Sequence, residues 1–314
     1  MSGARAARYG VGLLGISSQY RPVAVAEKHD LIRFLLEARP DFMDTATGYG
    51  QDTARINPIL GRCLAEHAGP APAIVNKIGA ALCDGDDLGA RAVAEFERGL
   101  DELGVEVVDT TLVHRAALRW LPRDARLHEA VRRSGRSRRF GLCTNDPAVL
   151  AAYCDAMQVD VLQAAVNLLD YTAARPVLEV ARARGIAVQA RSVAATGLLS
   201  GSYAAEDVDA FADERRRFAA TAAARAAFRA RIAVVERIRE HCAALRVAGQ
   251  FDGSLVDFCY SAIAASPCVG EVILGGSTRE QLAQNLALRA RPFPDELAAQ
   301  IFASRVDEWA APYA

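Results

Sequence analysis

The sequence predicts a (β/α)8 barrel, the TIM barrel of the α/β class, built as one domain over residues 1–314. Short apolar segments typical of buried strands alternate about eight times with longer segments whose apolar residues recur at helical spacing. No segment rich in proline, glycine or serine divides the chain, so we expect no interdomain linker. An apolar fraction of 52% in 314 residues is large enough to fill a barrel of this size.

The predicted strands and helices follow one another along the whole chain. Strands are expected at residues 9–15, 41–43, 74–77, 107–114, 139–143, 160–166, 186–190 and 270–274. Helices are expected at 23–38, up to about 67, at 88–103, 123–134, 147–157, 175–184, 232–245 and 254–265, and after the glycine turn that follows residue 274. Pro40 ends the first helix, and Gly104 suits the left-handed position after the helix at 88–103.

Residues 202–231 are rich in alanine and arginine. The favoured prediction for them is a solvent-exposed helix with ion pairs between residues four apart. The alternative is a lid that closes over an anionic cofactor or substrate, and the sequence does not decide between the two.

The composition argues against several classes of function. A net charge of −1 disfavours a general nucleic-acid or acidic-membrane partner. The N-terminal segment lacks the apolar core of a signal peptide, and no apolar run is long enough to span a bilayer, so we expect a cytoplasmic protein. The seven cysteines are scattered without a Cys-x-x-Cys pair, which predicts buried thiols and no disulfide framework or metal site. Among them, Cys143 falls at a predicted strand end.

Polar residues that suit proton transfer follow three of the predicted strands. The second strand runs into a glycine-bearing loop that carries Asp44 and Tyr49. The third strand ends at Lys77 and the fourth at His114. A free phenol titrates near pH 10, but a neighbouring cation favours the phenolate, and a carboxylate would hold that cation in place. The sequence therefore predicts a proton-delivery site with a tyrosine acid, a lysine that lowers its pKa, an anchoring aspartate and an orienting histidine.

Lysine is rare in this chain, which uses arginine for almost all of its basic residues. It occurs only as Lys28 and Lys77. Arginine is a broad, permanently charged fork, whereas lysine is a compact amine. A lysine at position 77 therefore indicates that this position needs an amine.

The order of these residues resembles the aldo-keto reductase superfamily. The shared features are Asp-Thr-Ala-x-x-Tyr-Gly at residues 44–50, a lysine that ends the next apolar strand, and the Leu-Val-His sequence that ends at residue 114. The resemblance covers nearly the whole chain and is firmest at residues 41–50, 74–77, 108–114 and 271–285. It implies an NADPH-dependent reduction of an aldehyde or ketone to an alcohol by hydride transfer, with Tyr49 as general acid and without a metal.

The resemblance also assigns residues to an NADP(H) cofactor. The family pattern Gly-x-Ser-x-x-Glu-Gln-Leu-x-x-Asn matches residues 275–285, where a glycine turn opens a helix whose free N–H groups suit an anion. The implied cofactor residues are Gly12 and Leu13 near the nicotinamide, Asn145 and Gln163 at its carboxamide, Arg191 at its ring, Gly275, Ser277, Thr278 and Arg279 at the phosphates, and Gln281, Gln284 and Asn285 at the adenine. Asp44 and Ser192 are also assigned to the cofactor site. Simpler explanations exist, because Asn145 equally suits a helix start and Gln163 a satisfied core amide.

Two departures from the family pattern leave other functions open. The segment after Gly50 is longer than in relatives and lacks their Ser-Glu pair, and Arg191 stands where many relatives carry an aromatic that stacks on the nicotinamide. One alternative is therefore a regulatory or partner subunit that binds NADP(H) with little turnover. Another is a sugar or cyclitol dehydrogenase, because a branch of the family that looks sugar-directed shares Arg-Ser-Val at residues 191–193.

The substrate is predicted only as a small carbonyl compound. We expect few aromatic residues at the barrel mouth beyond Tyr20, Trp120 and Tyr171, and several arginines nearby. That composition favours a polar, hydroxylated or anionic substrate, such as a sugar or natural-product intermediate. The sequence predicts no particular oligomeric state.

Overall fold

The computed structural model describes residues 7–79, 87–291 and 293–310 and contains a closed barrel of eight parallel strands. The strands are β1 (Arg8–Gly12), β2 (Phe42–Ala46), β3 (Ala73–Gly79), β4 (Val108–His114), β5 (Ser137–Cys143), β6 (Val161–Ala165), β7 (Ala187–Arg191) and β8 (Glu271–Leu274). Each strand pairs with its neighbours in chain order, and β8 pairs with β1 to close the barrel. The predicted (β/α)8 fold is confirmed.

Helices alternate with the strands and surround the barrel. They are α1 (Val25–Ala38), α2 (Ile56–Glu66), α3 (Leu88–Leu103), α4 (Leu121–Ser134), α5 (Pro147–Ala156), α6 (Tyr171–Ala183), α7 (Ala222–Val247), α8 (Leu255–Ala264), α9 (Arg279–Ala287), α10 (Asp295–Gln300) and α11 (Val306–Glu308). Leu35, Leu60 and Leu100 from α1 to α3 are fully buried in the main core between helices and barrel. Each such leucine contributes roughly 1.5–3 kcal/mol through burial.

Strand β1 is shorter than predicted and is followed at once by the 3-10 helix Leu13–Ser17. The glycines of this segment have the Gly-x-Gly-x-x-Gly spacing of dinucleotide-binding loops, but close packing explains them here. A Cβ on Gly10 would lie 2.2 Å from Cε2 of Phe42, and a Cβ on Gly15 would lie 2.2 Å from the carbonyl oxygen of Gly276. The barrel wall therefore needs glycine at these positions for reasons unrelated to a phosphate turn.

The prediction of a continuous helix over residues 202–231 is wrong for its first part. Two short 3-10 helices, Ala205–Asp209 and Glu214–Ala219, precede α7. Asp213 and Thr221 each accept a hydrogen bond from a following backbone N–H, and each cap starts a new helical segment. From there α7 runs to Val247 without the break expected near residue 232.

The predicted exposure of this arginine-rich segment is also wrong at Arg231. Its side chain is buried and donates to both carboxylate oxygens of Asp170, at 2.6 and 2.9 Å. Because Asp170 precedes α6, this ion pair fixes α7 against the neighbouring connection of the barrel. Arg225, by contrast, pairs with Asp209 at the surface, as an exposed segment would.

Strand alternation directs every second wall residue into the barrel interior. One group of buried side chains from these strands is largely apolar: Phe42, Val75, Leu112, Cys143, Val161 and Ile273. A second buried group is polar: Asp44, Lys77, Gln163, Gln189 and Glu271. The barrel interior therefore has an apolar part and a polar part, and the polar part leads to the candidate site.

Six cysteines belong to the described residues, and all six are free thiols, four of them buried. Cys83 lies outside the described residues. Within the described ranges, no helix combines the length and the apolar character that crossing a bilayer requires.

Candidate active site

The ends of β2 and β3 carry a buried ion pair to the mouth of the barrel. Lys77 Nζ donates a hydrogen bond to Asp44 Oδ2, and the two side chains are only 1% and 6% exposed. Burial alone would lower the pKa of Lys77, but the negative charge of the adjacent Asp44 raises it above its ordinary value, with a further contribution from Tyr49. Lys77 therefore carries its charge throughout the physiological pH range.

Tyr49 lies beside this ion pair in the loop after β2. Its backbone N–H donates to the carbonyl oxygen of Ala46 at 3.1 Å, and Lys77 Nζ lies 4.9 Å from the centre of its ring. Burial raises the pKa of Tyr49 to about 12, although the Lys77 charge acts in the opposite direction. The effect expected of Lys77 is present, but burial outweighs it, and the phenol keeps its proton at neutral pH.

His114 completes the cluster from the end of β4. Its ring centre lies 6.0 Å from that of Tyr49, with the two rings at 81°. Burial, followed by the charges of Lys77, Arg115 and Arg191, lowers the pKa of His114 to about 3. The imidazole is therefore neutral at physiological pH, so it offers one N–H donor and carries no acidic cation.

A line of buried polar side chains continues from Asp44 through the barrel interior. Gln163 Nε2 donates to Asp44 Oδ1 at 2.8 Å and to Gln189 Oε1 at 3.2 Å. Gln189 Nε2 in turn donates to Glu271 Oε2 at 2.5 Å. We call Asp44, Gln163, Gln189 and Glu271 the interior chain. It connects the candidate site with the first residue of β8, at the opposite end of the barrel.

The two residues predicted to bind a carboxamide already have protein partners. Gln163 uses Nε2 inside the interior chain, and its Oε1 meets the Cys143 thiol at 3.5 Å. Asn145 is exposed, and its amide both donates to and accepts from the backbone of Ala165 at 2.9 Å. The Asn-Asp-Pro segment does form the start of α5, where the capping side chain is that of Asp146 and Pro147 is the first helical residue.

Arg191 and Ser192 lie at the end of β7. Arg191 follows Gln189 by two residues, so its side chain starts on the same interior face, closer to the mouth. Arg191 Nη1 donates to Ser192 Oγ at 3.3 Å, and Ser192 has a left-handed backbone with φ of 56°. The charge of Arg191 reaches the centre of the site, because it contributes to the low pKa of His114.

Gly12 and Leu13 differ in what they contribute to the mouth. A Cβ on Gly12 would lie 3.9 Å from Asp44 Oδ2 and 2.9 Å from Cγ2 of Ile273, so glycine leaves room beside the ion pair. The Leu13 side chain is fully buried in the main core, where it packs against protein.

The turn between β8 and α9 carries most of the predicted phosphate and adenine residues. Thr278 caps α9 by accepting a hydrogen bond from the Gln281 N–H at 3.3 Å, and Gln281 Oε1 accepts one from the Ser277 N–H at 2.9 Å. The exposed guanidinium of Arg279 lies 4.6 Å from the ring centre of Phe34. These residues line a solvent-accessible helix start.

Behind this turn, Asn285 has a bracing role. It is buried, and its Nδ2 donates to the carbonyl oxygen of Gly275 at 2.6 Å. The Gly275 N–H donates to the Tyr260 hydroxyl at 3.0 Å. Gln284 is exposed and reaches Ser254 Oγ at 3.5 Å.

The loop after β1 contacts two neighbouring loops at the mouth. Gln19 donates to Glu214, and Arg21 Nε donates to the carbonyl oxygen of Ser277 at 3.1 Å. Burial and the charge of Glu214 raise the pKa of Tyr20 to about 12, with a smaller contribution from Tyr49. Tyr20 therefore lies near the site, as expected.

Tyr171 is not a residue of the mouth, contrary to expectation. It is buried, and its hydroxyl shares a hydrogen bond with Ser266 Oγ at 2.9 Å. Trp120 lies between Arg119 and Arg123, with guanidinium carbons 5.0 and 4.9 Å from its ring.

The model of the Aldo/keto reductase family matches this chain over residues 8–305. That match contains all eight strands together with Asp44, Tyr49, Lys77 and His114. The chain belongs to the aldo/keto reductase family. It is therefore an oxidoreductase of a family that uses nicotinamide cofactors and acts on small carbonyl compounds.

Solved structures of aldo/keto reductases share the fold at low sequence identity. The glycerol dehydrogenase from Gluconobacter oxydans is 19% identical with a TM-score of 0.71, over 98% of this chain and 92% of its own. An aldo-keto reductase from Bacillus halodurans, in its holo form, is 16% identical with a TM-score of 0.73, over 97% and 92%. A thermostable aldo-keto reductase in complex with epalrestat is 18% identical with a TM-score of 0.69, over 98% and 97%. No curated protein sequence matches the chain.

The residues of this aldo/keto reductase fit a nicotinamide dinucleotide. Arg279 is exposed at the start of α9 and forms no salt bridge within the described part of the chain, so its charge is free for a phosphate. A helix start favours the same anion. At the other end, glycine at position 12 leaves room beside Asp44.

Sequence reasoning missed the lower half of the interior chain, Gln189 and Glu271. A signal was present, because both Gln163 and Gln189 are polar residues inside short apolar strands. An amide in such a position needs a hydrogen-bonding partner. Two of them in adjacent strands predict that they bond to each other.

Proposed function

We propose that this aldo/keto reductase uses NADPH to reduce a small aldehyde or ketone to an alcohol, with Tyr49 as the proton donor. The protonation states of the buried centre carry this proposal. With a pKa of about 12 the phenol of Tyr49 holds its proton at neutral pH, whereas His114, with a pKa of about 3, is a neutral imidazole without an acidic proton to transfer. Lys77 directs a hydrogen bond to Asp44. The phenol is therefore the group suited to protonate a developing alkoxide.

Each of the remaining residues supports that proton transfer. The neutral imidazole of His114 donates an N–H to the substrate carbonyl oxygen that Tyr49 protonates, and so orients the substrate. The Lys77 charge stabilises the phenolate that forms as the proton leaves, and Asp44 keeps the ammonium in place. Bound NADPH supplies the hydride. Burial of the ion pair strengthens these electrostatic interactions, because little water screens them.

The same pKa favours reduction over the dehydrogenase alternative near neutral pH. Alcohol oxidation needs the phenolate of Tyr49 as a base. Because burial raises the pKa of Tyr49 to about 12, that phenolate is a minor form at pH 7. Reduction instead starts from the protonated phenol, which is the dominant form.

The preference for NADPH over NADH rests on Arg279. A guanidinium pairs with a phosphate through two parallel hydrogen bonds, and NADPH carries one phosphate more than NADH. Arg279 is exposed on α9 next to the cap residue Thr278, where the helix start adds its own positive potential.

The cations around His114 support a polar or anionic substrate. Arg115 and Arg191 both contribute to the low pKa of His114, so both act on the space in which the carbonyl oxygen would lie. Arg115 follows His114 directly and has a left-handed backbone with φ of 58°. Such strain in a non-glycine residue is concentrated at functional sites.

The test compares wild type with Tyr49→Phe across a panel of aldehydes, keto-sugars and aryl ketones. NADPH consumption should be measurable for part of the panel and fall about 10²–10⁴-fold in the variant, because general acid catalysis contributes about that much. NADPH affinity, followed by fluorescence of the binary complex, should stay within about twofold, because the phenol contributes little to uniform binding. Equal turnover by the variant would overturn the role of Tyr49. Tight NADPH binding without turnover on any substrate would favour the regulatory alternative.

A further inference from the structure

The interior chain places two amides and two carboxylates inside the barrel, next to a buried apolar cluster. Barrels of this class usually fill the same space with layers of bulky aliphatic side chains. Here Gln189 is fully buried and Glu271 is 5% exposed, although the strands of the same barrel also carry a buried apolar cluster that includes Val75 and Leu112. Buried amides and carboxylates are costly unless they are hydrogen-bonded, so their presence calls for a specific role.

The direction of every hydrogen bond in the interior chain is set by its two ends. Glu271 accepts hydrogen bonds from Arg8 and Arg139 at 2.8 and 3.0 Å, and a carboxylate that faces two guanidinium groups offers only acceptor oxygens. Gln189 must then turn its NH2 group towards Glu271 and its oxygen towards Gln163. That oxygen requires a donor, which fixes the orientation of the next amide.

The orientation of the Gln163 amide determines whether its NH2 group or its oxygen faces the Asp44 carboxylate. With its NH2 group held by Gln189 Oε1, Gln163 has a second N–H that reaches Asp44 Oδ1 at 2.8 Å. Asp44 Oδ2 is then left for Lys77. A flipped Gln163 would present its oxygen to the carboxylate, and the repulsion would turn Asp44 away from the ammonium.

We propose that Gln189 and Glu271 are positioning residues that lock the Gln163 amide and thereby hold Asp44 against Lys77. This inference rests on the proposed function, in which that ion pair supports Tyr49. Glu271 lies at the start of β8, so the barrel end remote from the substrate takes part in setting the geometry of the catalytic centre.

Gln189→Leu is the direct test, because leucine is similar in size and cannot hydrogen-bond. We expect kcat for NADPH-dependent reduction to fall about 10-fold or more, the usual result of losing a residue that orients a catalytic ligand. The alkaline limb of kcat should move to lower pH, because a Lys77 that loses Asp44 keeps the burial that lowers its pKa. NADPH affinity in the binary complex should change less than twofold.

Thr111→Val is the matched control. Thr111 is also fully buried in the barrel wall and donates to Ser137 Oγ at 3.0 Å, but it has no hydrogen bond to the interior chain. Its loss should lower the melting temperature without moving the alkaline limb. A Gln189→Leu variant that behaves like Thr111→Val, with only a lower melting temperature, would overturn the proposal.

Glu271→Gln provides a second variant in case Gln189→Leu folds poorly. An amide at this position can donate as well as accept, so it no longer forces one orientation on Gln189. We expect the same direction of pH shift, with a smaller fall in kcat. If the alkaline limb of kcat did not move in this variant, the positioning role of Glu271 would be contradicted. If Tyr49→Phe also kept full turnover, the proposed function itself would be wrong. If Tyr49→Phe lost turnover but the Gln189 and Glu271 variants behaved like wild type, only the positioning role of these two residues would be wrong.

Discussion

The catalytic centre and the turn between β8 and α9 are held in different ways. In the centre, Lys77 and Asp44 are in contact and almost inaccessible, and the interior chain fixes them from below. In the turn, Ser277 and Gln281 are accessible and bond mainly to their own short segment. A buried geometry is set before a ligand arrives, whereas bonds within an exposed turn can be exchanged for bonds to a ligand. Changes in the centre should therefore affect rate and stability, and changes in the turn should affect affinity.

Lys77→Met should have the largest effect. It leaves Asp44 buried without a cation, which costs about 3–5 kcal/mol of unfolding free energy, and it removes stabilisation of the phenolate, which costs about 10³-fold in turnover. Urea unfolding and NADPH consumption measure the two losses. The double variant Asp44→Asn, Lys77→Met should regain most of the stability and none of the turnover. A stable single variant would show that the ion pair is less buried than the geometry indicates.

His114 gives the centre a pH-dependent stability of intermediate size. Its pKa falls from the ordinary 6.5 to about 3 in the folded state. At pH values between these two, the folded protein therefore binds fewer protons than the unfolded chain. The associated stability is present above pH 6.5 and is lost as the pH falls towards 3. Between about pH 6.5 and 5, wild type should therefore lose about 2 kcal/mol more than His114→Gln. Urea titrations at a series of pH values measure this difference. If the imidazole were solvated, wild type and His114→Gln would lose unfolding free energy in parallel.

Arg279→Gln should have the smallest effect, confined to cofactor affinity. We expect the Kd for NADPH to rise about 10-fold, equivalent to about 1.4 kcal/mol, while the Kd for NADH and kcat at saturation stay unchanged. Arg133→Gln is the control, because Arg133 is exposed on α4 and pairs with Glu129 away from the turn. Equal weakening of NADPH and NADH would place Arg279 at the pyrophosphate, and no change in either would remove it from the cofactor site.

Much of this arrangement could be predicted from local sequence. The contact between Asp44 and Lys77 followed from two strand ends, because parallel neighbours in a barrel bring their carboxyl ends together. The 3-10 helix Leu13–Ser17 could not be predicted in the same way, because close approach to the turn at Gly276 decides where β1 ends. The helix predicted at residues 202–221 was wrong for a similar reason. The composition favours a continuous helix, but the Asp213 side chain caps a separate 3-10 helix there.

The pKa values of the catalytic centre could not be predicted from local sequence. Proximity of Tyr49 to a cation could be anticipated, but the opposing effect of burial depends on the whole packed mouth. The Gln189–Glu271 contact likewise joins two strands, because the two residues are register partners on the neighbouring strands β7 and β8. Such contacts depend on strand register, which no single segment specifies.

The packing of Gly10 against Phe42 restricts how this chain can diverge. A Cβ at position 10 would lie 2.2 Å from the Phe42 ring, and the ring belongs to the residue two positions before Asp44. A larger residue at position 10 is thus compatible only with a smaller one at position 42, and the two positions should covary among close homologues. A homologue with alanine at position 10 and phenylalanine at position 42 would have to shift β2, and the catalytic carboxylate would move with it.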